Sequence, residues 1–161
     1  MRLAAETGYG PMPERKGQRM PYQQIEGGWV VRLETGDHVQ ERLSAFCEAQ
    51  GIASGTIRAI GALRCARLGY YDQQADPPAY LERRFEGGYE LLACSGNISR
   101  KSDGSLFCHL HCVLGDSEMN VIGGHLFEGE VGPTFECYIY PAGAEVRRFA
   151  LPGSTLELLD L

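Results

Sequence analysis

Tryptophan occurs once in the 161 residues, and aromatic side chains together make up only 9% of them. Positive charge is also short: 15 Lys and Arg stand against 21 Asp and Glu, a formal charge of −6. That sign excludes nucleic-acid binding by charge alone, which needs Lys and Arg gathered on one face. No apolar run approaches the ~20 residues that span a bilayer, so no helical membrane span is expected. The six cysteines include no Cys-x-x-Cys pair. Phosphate loop, dinucleotide fingerprint, Gly-x-Ser-x-Gly elbow and catalytic-cysteine signature are all missing. There is no internal repeat and no low-complexity tract.

What is present fits one soluble domain. A chain of this length can bury about two-thirds of its unfolded surface, and 43% apolar with 22% charged residues is an ordinary globular balance. Cys47, Cys65, Cys94, Cys108, Cys112 and Cys137 sit mostly inside apolar runs, where free thiols behave as small hydrophobes. No N-terminal stretch joins basic residues to an apolar segment. Both features lead us to expect a cytoplasmic protein.

Residues 1–24 are polar, broken by Gly and Pro, and carry a net +2, which leaves −8 for the rest. They read as a flexible arm, and residues 25–161 as the domain. A β-rich run from Trp29 to Glu34 comes first. Asp37 is then placed to cap a helix, with Gln40 in the capping-box position. Val39, Leu43, Phe46 and Cys47 make one apolar stripe, and Gly51 closes it. Thereafter the period is two, and strands are expected over 55–62, 63–72, 80–86, 89–98, 106–115, 120–127, 134–140 and 146–151. Asp103-Gly104 is a hairpin signal. One principal helix followed by many strands predicts an α+β domain with a largely antiparallel sheet.

Three of the four histidines fall close together. In 106–115, alternation puts Phe107, His109, His111 and Val113 on one face and Cys108, Leu110, Cys112 and Leu114 on the other. The Cys/Leu face is the apolar one, so the histidines point away from the deepest core. Two imidazoles at i and i+2 stand roughly 7 Å apart at Cα and can converge on one ion. The 120–127 strand follows a short connection and supplies His125 as a third ligand. Three histidines with an open position suit a divalent metal, zinc first; hydrogen bonding in a polar cleft or subunit interface is an equal alternative. Gly123 and Gly124 mark a close backbone approach, at a pocket wall or interface, or a plain kink. Asn97, in Gly96-Asn97-Ile98-Ser99, could line a pocket, although a solvated turn is the commoner use of such a cluster. Glu136 could supply an oxygen ligand or a general base, or simply face water; Arg58 reads as exposed, and His38 as surface.

Ser95-Gly96-Asn97-Ile98-Ser99, His109-Leu110-His111-Cys112-Val113-Leu114-Gly115-Asp116, Gly123-Gly124-His125-Leu126 and Thr134-Phe135-Glu136 together resemble the plants-and-prokaryotes-conserved (PPC) domain. Gly36-Asp37-His38-Val39 and the run from Gly51 through Ala62 are similar to it as well. The resemblance spans about residues 29–149. It implies an antiparallel α+β domain, a homotrimer, and a histidine cluster of His109, His111 and His125 near the subunit interface. Plant members bind AT-rich DNA through a separate Arg-Gly-Arg-Pro hook, which this chain lacks, so any nucleic-acid contact is expected through the arm. The expected function is a homotrimeric binding or assembly module holding a protein or small-molecule ligand, of a group often labelled DNA-binding. The alternative is a metal-dependent hydrolase or lyase using the three histidines, with Glu136 as base.

Overall fold

The structure, a computed structural model, describes residues 20–161. Tyr22–Ile25 (β1) and Gly28–Glu34 (β2) form a hairpin about Gly27, whose φ of 75° suits glycine. The helix α1 (Val39–Ala49) follows. Then come β3 (Gly55–Asp72), β4 (Ala79–Arg100), β5 (Leu106–Gly115), β6 (Val121–Pro141), β7 (Arg147–Ala150) and β8 (Glu157–Asp160). Among the described residues the protein is therefore mostly β-sheet with a single short helix. The first nineteen residues of the expected arm lie outside the described residues. Its last part, Tyr22 to Gln24, is paired in β1.

Pairs of short strands expected over 55–72, 80–98 and 120–140 are single strands of 18, 22 and 21 residues. The break expected between residues 86 and 89 is a bulge. Gly87 and Gly88, at φ 105° and 86°, stand opposite Arg64, where the β3–β4 register slips between Leu63 and Cys65. A bulge bends a strand without ending it. That lets β3, β4, β5 and β6 close into a ring, each pairing with two of the others. Among the described residues all but one of the strand pairings are antiparallel; the exception is the Arg100–Arg147 contact between β4 and β7.

Leu33, Leu63, Leu91, Leu110, Leu114, Leu126 and Phe135 fill the interior. The helix covers it with Val39, Leu43, Phe46 and Cys47. Fully burying a side chain such as Leu43 is worth roughly 1.5–3 kcal/mol. Gly51 (φ 68°) ends the helix: its N–H bonds to the Glu48 carbonyl and the Ile52 N–H to that of Cys47. The expected N-terminal capping does not form. His38 takes the cap position with no side-chain bond. Asp37 Oδ2 instead accepts the Glu34 N–H, and Gln40 Nε2 donates to the Leu126 carbonyl. All six cysteines are buried and free.

Candidate metal centre

On β5 the alternation holds: Cys108, Leu110, Cys112 and Leu114 are buried, while His109 and His111 face outward. β6 pairs His125 directly opposite His111. Backbones must approach closely here. A Cβ on Gly124 would meet the Gly69 carbonyl oxygen at 2.7 Å, and one on Gly123 the Cys112 oxygen at 2.8 Å. Gly96 allows a still tighter approach, since a Cβ there would sit 1.8 Å from the His109 carbonyl oxygen.

The three rings gather with centroids 5.1, 4.9 and 5.3 Å apart. One ligand nitrogen from each lies within 4.8 Å of the others. His109 Nε2 and His111 Nε2 are 3.2 Å apart. Phe107 stacks on His109, while Phe127 and Tyr80 wall His125 at 4.4 and 5.3 Å. His111 stays exposed and forms the mouth. Burial first, and then the neighbouring histidine and Arg148 charges, push His109 and His125 down to about 4. Both are therefore neutral at pH 7, each ring keeping one nitrogen lone pair. His125 Nδ1 is buried without a hydrogen-bond partner. A buried polar atom left so is costly, and three imidazoles around an open side are a donor set that zinc or a similar divalent ion accepts. The residues fit a metal.

Of the other residues read from the sequence, Asn97 is brought to the cluster. It lies in mid-strand on β4, opposite His109, so the solvated turn considered for it does not occur. Gly123 and Gly124 line the same β5–β6 seam. Glu136 is not brought in: it is exposed, eleven residues beyond His125 on β6, between Arg32 and Ile60 of the neighbouring strands. Arg58 is exposed, and so is His38.

Sequence reasoning missed Arg148. It comes from β7, is only 7% exposed, and spends its guanidinium on four neutral acceptors. Nε bonds to Ser99 Oγ at 2.7 Å, Nη1 to the Glu157 carbonyl at 2.7 Å, and Nη2 to Asn97 Oδ1 at 2.9 Å and His109 Nδ1 at 3.2 Å. It also lies over the Phe107 ring. The one sequence signal was its place on the Val146-Arg148-Ala150 side of an expected strand; nothing local tied that strand to the histidines.

A closed antiparallel sheet with one covering helix and three histidines at a β5–β6 seam defines a small β-rich domain with a candidate metal centre. The family of the Plants and Prokaryotes Conserved (PCC) domain matches residues 20–142, and the chain belongs to that family. A metal-containing protein from Archaeoglobus fulgidus is similar in structure at 33% identity and a TM-score of 0.75, covering 89% of this chain and 99% of its own. A PPC protein from Pyrococcus horikoshii is 30% identical with a TM-score of 0.75, over 89% and 95% of the two chains. A "putative dna binding protein" from Bacteroides thetaiotaomicron is 26% identical with a TM-score of 0.81, over 88% and 96%. Among curated proteins none matches the chain.

Proposed function

We propose that this protein is a self-associating binding module whose three histidines hold a divalent metal, zinc in the first instance. One observation carries the reading: His109, His111 and His125 converge from two strands, two of them held neutral, with His125 Nδ1 buried and unpartnered. The similarity to a metal-containing archaeal protein supports it. When bound, such an ion supplies Lewis acidity and an exchangeable coordination position. His109, His111 and His125 would hold it, Phe127 and Tyr80 exclude water from the inner side, and His111 controls access at the mouth. Binding is favoured over turnover because the one general-base candidate, Glu136, is remote from the cluster.

Relatives described as DNA-binding suggest nucleic acid as a partner. The charge of the domain speaks against direct contact through it: Arg32, Arg64, Arg67, Arg84, Arg100 and Arg147 each pair with a glutamate. Cations already paired release few counterions from phosphate.

Metal analysis of protein purified without a histidine tag tests the reading. It should show near-stoichiometric metal that is lost in His111→Ala. Less than about one-third of an ion per chain, unchanged by that substitution, rules it out.

A further inference from the structure

A histidine that binds a metal through one ring nitrogen carries its proton on the other, and proteins almost always offer that N–H a carboxylate, carbonyl or water acceptor. At His109 the group offered is of the opposite kind. Arg148 Nη2 lies 3.2 Å from Nδ1, and a guanidinium has only donors. Nδ1 must therefore accept, so the neutral ring carries its proton on Nε2. That nitrogen faces His111 Nε2 at 3.2 Å and can donate to it. A directed chain results, from Arg148 through His109 to His111, with its proton on the edge of His109 that a metal would need.

The charge acts in the same sense. The bonds of Arg148 run to Ser99, Asn97, His109 and the Glu157 carbonyl, none of them a carboxylate. Its positive charge therefore reaches the cluster uncancelled by a bonded anion, and it repels a dication placed among the histidines. Arg148 is nevertheless firmly held. β7 and β8 pair with each other, Val146 accepts the Arg100 N–H, Glu157 accepts from Ser102, and Tyr71 Oη lies 3.2 Å from Ser154 Oγ. These anchors do not depend on His109. The hairpin can stay tethered while Arg148 leaves the ring.

We propose that Arg148 is a positioning residue that competes with the metal for His109, making the β7–β8 hairpin a latch whose closure opposes metal loading. This rests on the metal reading of the cluster. Coupling of this kind is reciprocal: a metal that displaces Arg148 loosens the hairpin to the same extent that the latch weakens the metal. The hairpin lies beyond residue 142, where the family match ends, so the latch is additional to the matched segment.

The decisive experiment uses the full chain, stripped of metal and labelled with 15N at histidine. Ring 15N shifts should show His109 protonated at Nε2 in the wild type and moved toward Nδ1 in Arg148→Gln, whose amide oxygen can accept that proton. Zn²⁺ or Co²⁺ titration should show Arg148→Gln binding about tenfold tighter or more. Arg148→Lys, which keeps a charged donor, should stay near wild type. Amide exchange in β7 and β8 should quicken when the wild type is loaded. Equal or weaker metal binding by a folded Arg148→Gln overturns the competition alone. Absence of metal from both proteins overturns the competition together with the metal reading. Should Arg148→Gln fail to fold, the wild-type protein decides: His109 protonated at Nδ1, or hairpin exchange unchanged by metal, refutes the latch.

Discussion

His109 and His125 lie where protonation is disfavoured, by burial first and then by the charges around them, which lowers both to about 4 from an ordinary 6.5. The fold therefore binds the neutral rings better than the charged ones. In the metal-free protein this contribution to stability is complete above pH 6.5. It is lost as pH falls from about 6.5 toward about 4, where the unfolded chain takes up protons that the folded chain refuses. Urea unfolding of metal-free protein should accordingly show a lower midpoint at pH 5 than at pH 7.5. A His109→Asn/His125→Asn double variant should flatten that difference; a wild-type midpoint that does not fall removes the burial argument. Cys94 and Cys112 follow the same physics in the other direction. Burial pushes Cys94 and Cys112 up to about 12, which keeps them as thiols, poor nucleophiles and poor metal ligands at neutral pH. The three histidines are therefore the candidate ligands at this seam.

Among the elements, the long bent strands matter most, because they carry the histidines to one place. Gly96 fixes how closely β4 approaches β5, with room for no side chain against the His109 carbonyl. Gly96→Ala should push β5 outward at His109 and cost about 1–3 kcal/mol, the usual range for overpacking. Chemical denaturation would measure the cost, and metal affinity should fall with it because the His109 ring moves with its backbone. A variant as stable as the wild type would show that the strands can part without strain. Gly87 and Gly88 act on the same element differently. Their positive φ values make a bulge, so β4 continues past a point where the residue types alone suggest a turn.

At the scale of the molecule, the exposed apolar side chains Leu92, Val113 and Val121 lie on the neighbouring strands β4, β5 and β6. Val113 is two residues from His111 on the same face of β5. Apolar groups gathered beside a polar site mark an interaction surface, and the self-association proposed above would use this one. Light scattering coupled to size exclusion should return three copies per particle, and Val121→Glu should lower that number. A monomeric wild type would count against the assembly proposed here. No helix among the described residues is long and apolar enough to cross a membrane.

Much of this was legible from residue order. Period-two alternation in 106–115 assigned each side chain of β5 to its face, because strand geometry leaves only two faces to choose from. The stripe of Val39, Leu43, Phe46 and Cys47 located the helix, and Gly51 its end, because both are set within a few residues of chain. The spacing of His109, His111 and His125 suggested one cluster because a short connection makes neighbouring strands pair. Other features depended on contacts between distant parts of the chain. Whether Gly87-Gly88 turns or bulges depends on what β3 places opposite it. Whether Asp37 caps the helix depends on a competing N–H from Glu34. Glu136 belongs to the strand that carries His125, yet the length of β6 takes it to the far end. Arg148 reaches His109 across 39 positions, through pairing and burial that no local pattern encodes. Local stereochemistry therefore determined the helix, the two faces of β5 and the spacing of the histidines. Long-range packing alone chose the cluster's neighbours, and with them the tautomer and charge that a metal would meet.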